Sequence, residues 1–351
     1  MKSSLCGSCS AKVERIFKQD ENLLWYTMCG SYKIIVDYDD IEKVKDKSIC
    51  VLTSRENKDM PYAVIKTNNK CQTITHFILG IDNSKIIVDH INHNTLDDRK
   101  SNLRIADTHF NGLNSHIKAS NKSGFKNIYL NNRDKKWMVD IFKSSGNRLR
   151  KRFYMFSDAY AFWKENSDEE FRYDILKDSQ IEIKFADITF DDVSNGNGFG
   201  AVVFSQFCSH HCKNCQNPQT WSKDGGRVFS TEILNKLFGY YEKTPFASRL
   251  TLSGGDPLEN LPLSNLIASE FKYRFPNKTL WIYTGYEYEN IKNKYEYQAI
   301  LELCDYLVDG KYIDELRDIT LAYRGSSNQR IIDMNATRNN MGEIVLWKDA
   351  S

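Results

Sequence analysis

Three of the nine cysteines in this 351-residue chain fall within eight residues. They stand as Cys208-x3-Cys212-x2-Cys215, at the end of the apolar run 201–207. Three thiolates on one short loop can hold three irons of a [4Fe–4S] cube and leave the fourth iron open. An open iron is a Lewis-acid position for a chelating substrate. A tetrahedral zinc site needs a fourth ligand nearby, which His210 or His211 could supply, so the spacing alone leaves zinc open. The first nine residues carry no apolar core of the kind that directs secretion, and no apolar run reaches the ~18 residues of a membrane span. The expected location is therefore cytoplasmic, where free cysteines point to metal or redox chemistry rather than disulfides.

The pattern around the loop predicts an α/β fold. Runs 201–207, 249–253, 279–284, 306–308 and 330–334 read as strands, and 231–243 and 263–275 as helices. Such alternation predicts a parallel sheet with its ligand at the strand C-terminal ends. The strand at 249–253 runs into Gly254-Gly255-Asp256-Pro257. Paired glycines there let backbone approach a ligand closely.

With that turn one βα unit after the cysteines, the region 181–351 resembles the radical S-adenosylmethionine enzymes, whose core is a partial β/α barrel. The turns Asn195-Gly196-Asn197-Gly198 and Asn217-Pro218-Gln219-Thr220-Trp221 narrow the likeness. So do Trp281-Ile282-Tyr283-Thr284-Gly285-Tyr286, Val308-Asp309-Gly310-Lys311-Tyr312 and Arg324-Gly325-Ser326-Ser327-Asn328-Gln329-Arg330. Together they resemble the activating proteins of anaerobic ribonucleotide reductase. The resemblance implies that Cys208, Cys212 and Cys215 hold a [4Fe–4S] cluster. It places Asn214, Cys215, Gln216, Gly254, Gly255 and Asp256 at S-adenosyl-L-methionine. It implies a flavodoxin-like electron donor and reductive cleavage to methionine and a 5′-deoxyadenosyl radical. That radical then takes a hydrogen from a glycine of the glycyl-radical subunit of anaerobic ribonucleoside-triphosphate reductase. Asn214 departs from the aromatic that many radical enzymes carry before the third cysteine. Taken singly, Trp281 and Tyr283 read as strand core, Asp309 with Lys311 as a surface ion pair, and 324–330 as a solvated turn.

The N-terminal half carries a second signal. Asp89-His90-Ile91-Asn92, then Ser101-Asn102-Leu103-Arg104, then Phe110-Asn111-Gly112 resemble an HNH endonuclease, a small α+β fold in which a ββα unit wraps one divalent ion. The resemblance makes Asp89 and Asn111 ligands of Mg²⁺ or Mn²⁺, His90 the general base, and Asn102 the group that orients it. His76 also fits the upstream pattern, with a structural role equally open. From Phe110 to Arg152, eleven Lys and Arg face two acids, a local +9 within a chain whose net charge is only +2. Such a patch is the electrostatic footprint of a nucleic-acid surface. Strands expected at 123–128, 135–139 and 148–156, then a helix over 157–165, resemble a plant-type AP2 DNA-binding fold with a three-stranded sheet for double-stranded DNA. Seven acids against three bases in 164–182 mark a boundary. The lone Cys6-x2-Cys9 would bind zinc only if Cys29, Cys50 or Cys71 converged on it.

The expected organisation is thus a β-rich 1–75, a nuclease motif at 76–117, a DNA-binding segment at 118–165, an acidic linker at 166–180 and a radical-enzyme domain at 181–351. The alternative leaves the nuclease as the working part and the C-terminal domain as an inactive passenger.

Overall fold

The computed structural model describes residues 16–20, 24–53, 61–67, 70–92, 94–106, 121, 123–131, 133–143, 147–167, 176 and 183–348. The chain forms two compact units, one of 1–116 with 177–180, the other of 117–176 with 181–351.

In the first unit, β1 (Lys18–Gln19), β2 (Trp25–Cys29) and β3 (Tyr32–Val36) make an antiparallel sheet. The two-residue β2–β3 connection begins with Gly30 at φ +63°, the left-handed conformation that a tight hairpin turn asks of its first residue. After the one-turn α1 (Ile41–Val44), strands β4 (Ser48–Leu52), β5 (Tyr62–Thr67) and β6 (Lys70–Thr73) make a second sheet. Helix α2 (Ile74–Leu79) starts where the Thr73 hydroxyl accepts from the His76 N–H and stops at left-handed Gly80. Strands β7 (Ile87–His90) and β8 (Leu103–Ala106) pair as an antiparallel hairpin. Ile34, Val36, Ile49, Ile65, Ile74, Ile78 and Leu96 share one core, so 1–75 and the β7–β8 region are not separable bodies. Cys29 and Cys50 are buried and Cys71 is exposed. Cys6 and Cys9 lie outside the described residues.

The second unit begins with the antiparallel sheet β9 (Ile128–Asn131), β10 (Lys136–Phe142) and β11 (Arg148–Phe153), followed by α3 (Phe156–Asn166). The first strand starts later than the sequence suggests. Ser123 spends its hydroxyl on the carbonyls of Phe125 and Ile128, and that local turn occupies the residues expected to be extended. The main sheet contains β12 (Lys184–Asp192), β13 (Gly200–Ser205), β14 (Arg227–Val228), β15 (Arg249–Gly254), β16 (Thr279–Tyr283), β17 (Tyr306–Asp309) and β18 (Arg330–Asp333). Their order is β14-β12-β13-β15-β16-β17-β18. Only β13, β15, β16 and β17 run parallel; both flanks are antiparallel, so the sheet is mixed rather than all parallel. Helices α4 (Thr231–Lys243), α5 (Leu261–Arg274), α6 (Tyr288–Ile291) and α7 (Gln298–Leu303) lie between strands, and α8 (Met334–Asn339) follows β18.

The two parts of this unit share a core. Nine consecutive residues of α5, Leu263 to Phe271, are buried. Nine residues exceed two helical turns, so no face of that stretch meets water. Part of the cover is the three-stranded module. Asn265 Nδ2 donates to the Ser123 carbonyl (3.1 Å), and Glu270 receives both Tyr160 and Lys164 from α3. Burial opposes ionisation of Glu270, but Lys164, Tyr160 and Arg274 outweigh it and hold its carboxyl below the ordinary range. Glu302 caps the start of α3, accepting from the N–H groups of Phe156 (2.6 Å) and Ser157 (2.9 Å). The sequence separates 118–165 from 181–351; the structure joins them, because both sides of the junction are apolar or paired. No helix among the described residues is long and apolar enough to cross a membrane.

Candidate functional site

The C-terminal ends of β13, β15, β16 and β17 converge on a cavity of about 410 Å³. Its lining includes Cys208, Cys212, Cys215, Gly254, Gly255 and Asp256. A volume of this order suits a nucleoside-sized ligand. The cysteine loop is strongly bent. Phe207, His211 and Asn214 all have φ between +47° and +83°, a conformation that costs a side-chain-bearing residue about 1 kcal/mol or more and survives only where the surroundings enforce it.

The enforcing contacts are visible. Phe207 N–H donates to the Thr220 carbonyl (2.8 Å), and its own carbonyl accepts from Asp256 N–H (2.9 Å). Glu259 accepts from Ser209 N–H (2.6 Å) and from the Tyr286 hydroxyl (2.8 Å). Asn214 Nδ2 donates to Asp314 (2.7 Å) and Lys213 Nζ to Glu315 (2.8 Å), tying the loop to residues beyond β17. Asn214 is thereby turned towards Asp314, whereas Cys215 and Gln216 line the cavity.

Asp256 is the hub. It is 1% exposed and accepts from Leu258 N–H (2.8 Å), Thr284 Oγ1 (2.9 Å) and Gly285 N–H (2.9 Å), while His210 Nε2 lies 2.8 Å from it. The Asp256 carboxylate raises the His210 imidazole above its ordinary value. The sequence did not pair His210 with Asp256. Its partner sits 46 residues away, and no local pattern announces the pair.

The glycines also set how closely neighbouring backbone approaches. A Cβ on Gly254 would sit 2.7 Å from Phe204 Cα, and one on Gly255 only 2.3 Å from the Phe207 carbonyl oxygen. Both are needed so that β15 can lie against the strand carrying the cysteines, as well as to line the cavity. Gly285 likewise leaves room for the His210 ring, 2.5 Å from where its Cβ would be.

The three thiols fit an iron–sulfur cube. All three line one cavity, yet among the described residues no three His, Cys, Asp or Glu side chains converge as a single metal ion requires. A cube spreads its three protein ligands over three irons. Burial pushes the Cys208 thiol up to about 11 and raises Cys212 as well. The protein therefore does not hold these sulfurs as thiolates unaided; coordinated iron would.

The remaining motifs are internal braces. Asp309, fully buried, accepts from Arg330 and from Tyr288 N–H (2.9 Å), so it is not half of a surface pair with Lys311. Gln329 Oε1 accepts from Gly325 N–H (2.9 Å) and closes the 324–330 turn on itself, which is structured rather than merely solvated. Trp281 is strand core, as read.

In the first unit, β7 and β8 place Asp89 opposite Arg104 and His90 opposite Leu103. Arg104 Nε donates to Asp89 Oδ2 (2.9 Å). His90 Nε2 lies 3.3 Å from Asp98 Oδ1, and Asp98 is 2% exposed, its carboxyl pushed up by burial. Asn102 does not bond to His90. Its oxygen accepts from Asn92 N–H (2.9 Å) and its amide donates to the Asp97 carbonyl (2.8 Å), so it shapes the turn between the strands. Asp98 occupies the place beside His90 that the sequence assigned to Asn102. His76 uses one ring nitrogen on Thr73 (2.7 Å) and the other on the Ile86 carbonyl (2.8 Å), a structural role. Asn111 lies outside the described residues.

Comparison with known proteins agrees with the cysteine site. Residues 194–332 match a family described as a 4Fe-4S single cluster domain. An anaerobic ribonucleoside-triphosphate reductase-activating protein of Haemophilus influenzae is 36% identical over 143 residues, 40% of this chain and 91% of that protein. Proteins of the same name from Vibrio cholerae and Enterobacteria phage T4 are each 38% identical over 143 residues, covering 91% and 87% of their lengths. Nearly the whole of each relative is thus spanned by less than half of this chain, and on that match the chain belongs to the family of anaerobic ribonucleoside-triphosphate reductase-activating proteins.

Proposed function

We propose that residues 183–348 form a radical S-adenosylmethionine enzyme that installs a glycyl radical on anaerobic ribonucleoside-triphosphate reductase. The mixed sheet would serve as the partial barrel of that class. The observation that carries the reading is the cavity in which Cys208, Cys212 and Cys215 face Gly254, Gly255 and Asp256. A [4Fe–4S] cluster held by these thiols, reduced by a flavodoxin-like donor, would supply the electron for reductive cleavage of S-adenosylmethionine. The chain's own part is positioning. The Asp256 hub locks the cysteine loop to the ends of β15 and β16, so the sulfurs keep a fixed distance from the Gly254–Gly255 backbone. Tyr283 and Tyr323 add aromatic wall to the cavity. Arg324, whose Nε is buried without a hydrogen-bond partner, is placed to receive an anionic group of a bound cofactor.

The test is anaerobic reconstitution with iron and sulfide. Broad visible absorbance, methionine and 5′-deoxyadenosine on reduction, and a glycyl radical on added reductase by paramagnetic resonance are expected. Uptake of one zinc with none of these products would reject the reading.

One observation favours a second activity in the first unit. His90 is paired with buried Asp98 on a hairpin that also presents Asp89, as a nuclease with a histidine base and a Mg²⁺ or Mn²⁺ ion would require. Separately, in the second unit, Arg148, Arg150 and Arg152 alternate along β11 and would meet phosphates of double-stranded DNA. His90→Ala should abolish cleavage of duplex DNA and leave binding intact; unchanged cleavage would remove the nuclease from consideration.

A further inference from the structure

Residues 311–327 fold back as a small flap at the edge of the cavity. Leu316 and Ser327 pair through Ser327 N–H (2.9 Å), Asp318 N–H donates to the Gly325 carbonyl (3.2 Å), and Arg317 bridges Ser326. One side of the flap belongs to the cavity: Leu321, Tyr323, Arg324 and Gly325 line it, and the Tyr283 hydroxyl donates to the Tyr323 carbonyl (2.7 Å). Elsewhere the flap carries Ile313 (38% exposed), Leu316 (41%) and Ile319 (85%) within seven residues. A single exposed apolar side chain needs no explanation, but three on one short flap bordering a reaction cavity do.

We propose that this flap is the docking surface for the glycine-bearing segment of the reductase, a conclusion that rests on the radical-enzyme reading above. The chemistry commits the occupant. A carbon radical formed inside the cavity must meet its Cα–H at contact distance, so a polypeptide has to reach the cavity mouth. The flap is part of that mouth, and it presents apolar anchors of the kind that dominate binding when covered. Its acids are already engaged: Asp314 accepts from Asn214 and from the Tyr312 hydroxyl (3.0 Å), and Glu315 from Lys213. Lys213 and Asn214 lie between the second and third cysteines. The base of the docking surface is therefore hydrogen-bonded to the loop that holds the cluster, and an occupant pressing on the flap acts on that loop.

The experiment uses the full chain, reconstituted without oxygen, with the purified glycyl-radical subunit of its cognate reductase. Leu316→Ser with Ile319→Asp is compared with the unaltered chain and with Met341→Asp, a change at an apolar residue 99% exposed on another segment. Dithionite-driven cleavage of S-adenosylmethionine without reductase should stay within about twofold in all three proteins. Affinity for the reductase and glycyl-radical yield should fall about tenfold or more in the flap variant alone, the effect of losing a central interface anchor. The cluster's paramagnetic spectrum should also shift when reductase is added to the unaltered chain, and not in the flap variant. A flap variant that binds and activates the reductase normally overturns the docking surface and leaves the radical reading standing. One that loses cofactor cleavage without reductase also overturns it, since the flap then serves the cavity itself. Failure of the unaltered chain to cleave S-adenosylmethionine overturns both.

Discussion

Gly255 shows how little tolerance the cavity has at the level of one residue. The atom its Cβ would meet is a backbone oxygen, at 2.3 Å, and backbone cannot swing aside as a side chain can. Gly255→Ala should therefore cost about 2 kcal/mol, the usual order for overpacking, and should lower iron retained after reconstitution. Urea unfolding and iron analysis measure the two effects. The cysteines and the paired glycines were legible in the sequence because they are close together and chemically distinctive. The Asp256–His210 pair was not, since hydrogen bonds between distant segments leave no local spacing to read. Asn102 was misassigned to His90 for the same reason: sequence shows which polar residues are near, and only the β7–β8 register shows which of them touch.

At the scale of elements, strands buried on both faces were the easiest to read. β13, β15 and β16 stood out as apolar runs, and α4 by its alternation of apolar and polar positions. β12 was missed because its exposed residues include acids at the sheet's flank, whereas α5 was read as a helix at 263–275 although its middle has no polar face. The bond between α3 and α5 gives a direct prediction. Lys164→Met leaves Glu270 buried with Arg274 as its one remaining cation, and should destabilise the second unit by about 3 kcal/mol, the lower end of the cost of breaking a buried pair. Adding Glu270→Gln should restore part of that loss in the same denaturation assay. A pH effect belongs to β10–β11. Arg148 and then Arg150 hold the Asp140 carboxyl at about 2, below its ordinary 3.8. A depressed carboxyl contributes stability in full above its ordinary value and loses it as pH falls towards 2. Asp140→Asn should flatten the stability of this sheet between about pH 4 and pH 2, read by acid titration of the Trp137 fluorescence.

For the whole molecule, the abrupt change of charge after Lys164 marked a boundary that the core does not respect. Charge reports the solvent-facing surface, whereas the packing of Phe125, Tyr160 and Trp163 with Leu266 and Phe271 in one core decides what folds together. A chain cut to begin at residue 118 should remain monodisperse in size-exclusion chromatography. One beginning at residue 181 should aggregate, because it uncovers the apolar cover of α5.

Solvent accepts almost any polar substitution, but an enclosing protein accepts few. A helix walled in on every side answers to two neighbours at each position, so α5 has lost the freedom to drift that an outer helix keeps. Any lineage that later shed the preceding segments would first have to rewrite Asn265, Glu270 and the residues around them for water. Homologues that never carried the module should show that rewriting as polar side chains on the corresponding helix face.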